Sequence, residues 1–196
     1  MRAPAAETFP RVRHATNRNG TGRGCLVTGM TTSLAFTHRY VHANGLRFHV
    51  AAAGDHGPAV LLLHGFPQHA HAWRHVMREL AADHRAYALD LRGAGRSDAP
   101  RTGYDSASLA SDVLAVLDTL GLPHVTLAGH EWGGWLGFHL ALLAPQRLHA
   151  FVAVNAPHPW LPHRKLLPQL WRFWYTALLE YPVLGAWIIR TRPGST

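Results

Sequence analysis

The sequence predicts an α/β fold, a mainly parallel sheet with helices on both faces. Three observations predict it. Short apolar runs alternate with amphipathic helical segments from about residue 58 to residue 155. Runs such as AVLLLHG are unbroken, as in strands buried on both faces. The chain's 196 residues, 47% hydrophobic and 15% charged, suffice for one domain with a real core.

The elements follow in order. FTHRYVHANGLRFHVAAAG carries two alternating segments around Asn44-Gly45, the dipeptide that best supports a tight primed turn, and predicts an opening β-hairpin. After a Gly-rich break at 54–57 comes the buried strand AVLLLHG. AWRHVMRELAAD predicts a helix with Trp73, Val76, Met77 and Leu80 on one face. The strand RAYALDL, the turn-rich RGAGRSDAP and the helix SASLASDVLAVLDTLGL follow, the helix lined by Leu109, Val113, Val116, Leu117 and Leu120. HVTLAG is the next strand, GGWLGFHLALLAP the next helix and RLHAFVAVN the strand after it. Such alternation implies right-handed crossovers, with ligands bound beyond the carboxyl ends of the strands. His64-Gly65, Asp90 and Glu131 fall at or just after predicted strand ends, so they should line one rim.

AGHEWGGW, residues 128–135, has the pattern of a sharp strand-to-helix bend that exposes one side chain. Neighbouring positions must be small for the two backbones to close, and Gly129, Gly133 and Gly134 supply this. Glu131 stands at the exposed position. The N–H of Trp132, opening the helix, can serve a developing oxyanion, and the N–H of Phe66 in HGFP, residues 64–67, can supply a second donor. His64 is expected to orient that loop. His130, beside Glu131, is expected to be structural, because adjacent side chains at a bend point apart.

Taken together, LLLHGFPQHAHAWRHVM, LDLRGAGRSDAP, GHEWGGWLGFHLA and VNAPHP resemble the α/β-hydrolase superfamily and, within it, the epoxide hydrolases, from about residue 37 to 190. The resemblance implies a carboxylate nucleophile that forms an ester with an apolar epoxide, after which a His-activated water hydrolyses it, with no metal or organic cofactor. It also implies that PQLWRFWYTALLEYPVLGAW, residues 168–187, opens a lid (cap) in which Tyr175 hydrogen-bonds the epoxide oxygen; a plain packing aromatic is the other reading of Tyr175. Haloalkane dehalogenases share the carboxylate elbow, which leaves Trp132 either as a pocket wall or as a halide-binding indole. Residues 1–35 are then expected to be a disordered basic leader, 36–158 the hydrolase core with its first six strands, and 159–196 a partial lid.

Two features depart from the family pattern. The elbow carries Glu131 where the family has Asp, and the extra methylene is expected to push the carboxylate about an ångström past the loop donors, enough to lower rate by ~10²-fold. Glu131 therefore has three readings: nucleophile, base acting on water, or relic in an inactive remnant that binds small ligands or another chain. After Glu131 the only carboxylate side chain is Glu180, and no histidine follows it, the last being His163. The family's acid and His partners are thus absent from these residues, which read as a fold truncated before its last strands. An unpaired edge at LHAFVAVN and an uncovered lid would then favour self-association.

Other function classes find less support. Half of the formal charge of +8 lies in residues 1–35, where five arginines face Glu7 alone, and no element collects a basic stripe with interleaved aromatics, so no nucleic-acid partner is expected. CLVTGM is too short for a secretory signal, and Arg172 and Glu180 interrupt the apolar stretch 166–189, so no membrane span is expected. His71 and His75 have ligand-like spacing, but no acid or cysteine joins them and no metal is expected. The single Cys25 points to a reducing, cytoplasmic setting. Asp90, Arg92, Ser97 and Asp98 are expected to knit their own loop together.

Overall fold

A computed structural model describes residues 36–156, 158 and 159, all within one compact unit, Leu34–Thr196. The leader expected over 1–35 lies outside the described residues, as does the expected lid beyond residue 159 with Tyr175.

The chain opens with strands β1 (Thr37–Ala43) and β2 (Leu46–Ala53), paired antiparallel from Thr37 opposite Ala52 to Ala43 opposite Leu46. Asn44 and Gly45 at the turn have φ of 49° and 73°. Two successive positive φ values are what a primed two-residue turn demands, and they match the twist of the flanking strands.

Next come β3 (Ala59–Leu63), a 3-10 turn (Ala70–Trp73), α1 (Arg74–Leu80) and β4 (Arg85–Leu89). They are followed by α2 (Ser106–Thr119), β5 (Val125–His130), α3 (Trp132–Leu143) and β6 (Leu148–Val154). The sheet order is β1-β2-β4-β3-β5-β6. β3 pairs parallel with β4 and β5, β5 pairs parallel with β6, and β2 runs antiparallel to β4. From β3 the chain steps one way to β4, then back across β3 to β5 and on to β6. Right-handed crossovers in opposite directions put their helices on opposite faces. Accordingly Met77 of α1 packs with Val60, Leu62, Ala86 and Ala88 on one face. Val113 and Val116 of α2 and Leu136 and Leu140 of α3 pack with Leu61, Leu63, Val50 and Leu127 on the other. The LLL run divides between the two faces by the two-residue period of a strand. Each fully buried leucine there contributes about 1.5–3 kcal/mol.

α1 is shorter than the sequence suggests. Its first expected turn is the 3-10 turn Ala70–Trp73, and Val76, expected on the buried face, is exposed. A two-turn helix buries a narrow stripe, and Val76 stands about 100° around the axis from Met77, which alone is fully buried. Among the described residues β6 occupies one flank of the sheet, with most of its side chains exposed.

Candidate active site

His64, Asp90 and Glu131 directly follow β3, β4 and β5, so the three parallel strands bring them to one rim, where the chain order reverses across β3. That is where a crevice opens in an open α/β sheet.

At the bend after β5, Glu131 has φ 50° and ψ −110°, a conformation that strains a non-glycine residue by about 1–3 kcal/mol. Two contacts hold it there. The Glu131 N–H donates to the Val154 carbonyl at 3.0 Å, and the Glu131 carbonyl accepts from Trp135 N at 2.9 Å, opening α3. The start of α3 lies so close to the sheet that a Cβ on Gly133 would stand 2.4 Å from the Leu63 carbonyl oxygen. Only glycine allows that approach.

The carboxylate is seated. Glu131 Oε2 accepts from Phe66 N at 2.9 Å and from Trp132 N at 2.7 Å. The expected one-ångström overshoot does not occur: the longer side chain folds back, so its Oε2 reaches both donors at ordinary hydrogen-bond lengths. Gly65 makes room for this, because a Cβ there would lie 2.7 Å from Oε2 and 2.8 Å from the Glu131 Cβ. Among the described residues Oε1 accepts no hydrogen bond. Among the described residues, therefore, one carboxylate oxygen is held and the other has no partner.

The loop that carries Phe66 is braced from behind. Leu91 N donates to His64 Nε2 at 3.0 Å, which leaves the ring proton on Nδ1, where it donates to the Gly65 carbonyl at 2.9 Å. That carbonyl also accepts from Gln68 N at 2.9 Å. His64 is buried, and desolvation holds its pKa below the ordinary histidine value, which preserves this neutral tautomer. His130 Nδ1 lies 3.0 Å from Gln68 Oε1, a contact that ties the bend to the same loop. His64 thus bridges Leu91 N and the Gly65 carbonyl.

Asp90, Ser97 and Asp98 hold their loop as expected. Asp90 Oδ1 accepts from Ala70 N at 2.6 Å, its Oδ2 accepts from Arg96 N at 2.9 Å, and its carbonyl accepts from Ser97 Oγ at 2.6 Å. Asp98 Oδ2 accepts from Arg47 N at 2.9 Å. Arg92 reaches further. Its Nε and Nη2 donate to the two oxygens of Asp112 at 2.7 and 2.8 Å, a forked ion pair buried against α2 that sequence reasoning missed. The available signal was Asp112 itself, a charge on the apolar face of α2 beside Leu109 and Val116.

A cavity of about 480 Å³ adjoins the bend, its wall including Phe66, Leu91, Tyr104, Leu109, Trp132 and Trp135. Phe66 and Trp132 each present a backbone N–H to Glu131 and belong to this mainly apolar wall; Glu131 itself is not part of it. Tyr104 and Trp135 were not singled out from the sequence, although Trp135 is one helical turn on from Trp132. Among the described residues no group of three or more His, Cys, Asp or Glu is placed to hold a metal ion. No helix among them is long and apolar enough to cross a membrane.

This strand order and a seated carboxylate at a strained bend invite comparison with known proteins. The α/β hydrolase fold profile matches residues 58–182. The chain belongs to the α/β hydrolase fold family. Within it, this α/β hydrolase is similar to epoxide hydrolases. It is 44% identical over 128 residues to mouse (Mus musculus) Epoxide hydrolase 4, covering 63% of this chain and 36% of the relative. It is 34% identical over 171 residues to Epoxide hydrolase 3 of Xenopus tropicalis, covering 83% and 47%. Among solved structures it resembles an epoxide hydrolase from Bacillus megaterium in complex with its product, an (R)-naphthyloxy-propane-1,2-diol. The TM-score there is 0.72 at 32% identity, covering 78% of this chain and 55% of that one. An epoxide hydrolase from Vigna radiata gives a TM-score of 0.65 at 35% identity, covering 75% and 50%. The chain thus spans between a third and about half of these proteins.

Proposed function

We propose that this α/β hydrolase opens apolar epoxides through Glu131, forming a covalent glutamyl ester. The carrying observation is the division of labour in its carboxylate, with Oε2 held by Phe66 N and Trp132 N and Oε1 free. Oε1 attacks an epoxide carbon, the carbon–oxygen bond of the ring breaks, and the released alkoxide takes a proton, for which Tyr175 is the proposed donor. Oε2 becomes the ester carbonyl oxygen, still facing both N–H groups. When water adds to that carbonyl, the same two donors meet the negative charge that develops on Oε2. The water proton requires a base.

The aromatic wall supports the substrate class. Phe66, Tyr104, Trp132 and Trp135 line a cavity large enough for an aryl group, and the Bacillus megaterium relative holds a naphthyloxy diol. An epoxide bearing an aryl or aryloxy group is the substrate we propose.

The test is incubation of the purified chain with phenyl glycidyl ether, followed by intact-mass and peptide mass spectrometry. A gain of one epoxide mass on Glu131, absent in Glu131→Gln, is the expected result. Alkylation with no dependence on Glu131 would refute it. A haloalkane arm decides the competing dehalogenase reading, since that substrate would load the same residue with halide release. No adduct from either would favour the inactive remnant.

A further inference from the structure

Next to the first cavity, with which it shares His69 and Gly95, a second cavity of about 350 Å³ is lined by groups that the epoxide chemistry does not use. Its wall contains two guanidinium residues, Arg74 and Arg96, and four histidines, His38, His49, His69 and His71. Among the described residues the only carboxylate in the wall is Asp90, and both of its oxygens accept hydrogen bonds. Oδ1 accepts from Ala70 N, and Oδ2 accepts from Arg96 N and His49 Nδ1. Nothing negative is left over to meet the two guanidinium groups. Arg74 Nη1 has one long hydrogen bond, 3.3 Å, to the His71 carbonyl. Among the described residues the Arg96 side chain has no hydrogen bond or ion pair.

His38 and His49 form a chain of hydrogen bonds that ends at the cavity. Asp90 Oδ2 accepts from His49 Nδ1 at 2.8 Å, so His49 Nε2 accepts from His38 Nδ1 at 3.0 Å. His38, stacked on His49 with ring centroids 5.1 Å apart, then has its Nε2 free to take a proton and donate it to a ligand. Burial first, and then nearby cationic groups, hold both His38 and His71 below the ordinary histidine value. His38 is held below its ordinary value first by burial, then by His49 and Arg96, with Asp90 opposing. His71 is lowered first by burial, then by Arg74, His69, His75 and Arg78. Phe36, Ala51 and Met77 complete the wall with apolar surface.

We propose that this second cavity binds a phosphate monoester, its phosphoryl oxygens held by Arg74, Arg96 and the surrounding imidazoles, and its organic group against Phe36, Ala51 and Met77. A phosphate monoester carries close to two negative charges at neutral pH and three acceptor oxygens, and guanidinium groups recognise it by paired, charge-assisted hydrogen bonds. A dianion satisfies both arginines at once, which a carboxylate would not. The cavity exceeds what inorganic phosphate alone needs, and the apolar remainder is what an ester group would fill. His69 and Gly95 line both cavities, so the ligand would sit next to the segment that follows the oxyanion-donating loop without touching Glu131.

The experiment uses the full chain with histidine ring carbons labelled, titrated with phenyl phosphate, with inorganic phosphate and, at matched ionic strength, with sodium chloride. Saturable resonance shifts confined to His38, His69 and His71 are expected with phenyl phosphate. Weaker but saturable shifts at the same residues are expected with inorganic phosphate, and none with chloride. Arg96→Gln, at an exposed side chain whose loss leaves the fold intact, should weaken phenyl phosphate binding by about tenfold or more, and Arg74→Gln should do the same. Equal shifts with chloride, shifts that never saturate, or unchanged affinity in both arginine variants would overturn the proposal. Inorganic phosphate binding as tightly as phenyl phosphate would overturn the role of the apolar wall. None of these readouts depends on Glu131 or on hydrolase activity, so their outcome is distinct from that of the alkylation test.

Discussion

The backbone N–H of Phe66 donates to Oε2 of Glu131 across 2.9 Å, although 65 residues separate them in the chain. This one bond ties the loop after β3 to the bend after β5, and it exists because the two strands are neighbours in the sheet. It also explains how a glutamate fits at this bend. The side chain gains its reach by bending over Gly65, the one residue at that point with no side chain to block it.

Gly65→Ala is the direct test of that accommodation. The added Cβ would stand 2.7 Å from Oε2 and 2.8 Å from the Glu131 Cβ, so the carboxylate must leave the two donors. Displacement of about an ångström at a reacting group lowers rate by ~10²-fold. The rate of Glu131 alkylation by phenyl glycidyl ether, followed by mass spectrometry, should fall by that order while circular dichroism stays unchanged. A variant that reacts at the parent rate would show that the seat is irrelevant to reactivity.

His64 gives a prediction about stability and pH. Burial holds its imidazole below the ordinary value of 6.5, so near that pH the unfolded chain binds a proton that the folded protein does not. Stability from this group is therefore full above 6.5 and declines as the pH falls through that value, levelling only below the depressed folded value. His64→Leu removes this dependence and also strips the buried Leu91 N–H of its acceptor, a loss of about 1–3 kcal/mol. Urea unfolding between about pH 8 and pH 5 should show the variant less stable at the upper end and flatter across the range. Parallel curves for the two proteins would mean that His64 titrates as it does in the unfolded chain. His38 and His71 titrate in both proteins and cancel in the comparison.

Much of this was legible in the sequence because local chemistry dictates it. Asn44-Gly45 can adopt two positive φ values cheaply, so the hairpin could be read directly. The glycines around Glu131 announce a close backbone approach, and strand ends place His64, Asp90 and Glu131 on one rim. What was not legible depends on distant partners. The motifs already point the Phe66 and Trp132 N–H groups at this bend, but that Oε2 of the longer glutamate side chain itself reaches both follows from side-chain torsions, which a one-dimensional spacing does not encode. The buried pairing of Arg92 with Asp112 joins a loop to the middle of a helix 20 residues on. Val76 was assigned to a buried face because apolar character was taken as burial, yet a two-turn helix has room for little more than Met77.

Asp112 should be a stability determinant rather than a reactive one. Its side chain is 2% exposed and receives two bonds from Arg92 and one from Asn44 Nδ2 at 3.0 Å. It therefore ties α2 to the hairpin turn and to the loop after β4. Asp112→Ala leaves the Arg92 guanidinium, itself only 12% exposed, without its carboxylate. Removing one partner of a buried pair destabilises by about 3–5 kcal/mol. Chemical denaturation should show a loss of that size, whereas replacing both residues together by leucine should recover much of it. A loss below about 1 kcal/mol for Asp112→Ala would place the pair among exposed ones in energy.

The outer flank of β6 sets a limit on how the chain behaves at high concentration. Val152 and Val154 are 49% and 40% exposed, and at the end of α3 Leu142 and Leu143 are 62% and 59% exposed. Among the described residues no strand pairs with that flank of β6. An exposed strand edge beside apolar surface is a template for pairing with a second copy, and natural sheets prevent this with lysine or a bulge on the edge. β6 carries no lysine, arginine or proline over Leu148–Val154, and its one register slip, which skips His149 opposite Val125 and Thr126, faces β5 at the start of the strand. Light scattering should therefore show mass rising with protein concentration, and Val152→Lys should suppress the rise while leaving the unfolding midpoint nearly unchanged, since an exposed valine makes little contribution to the core. A monodisperse monomer over the whole concentration range, or association unaffected by the lysine, would mean that this edge is protected by something other than its own sequence.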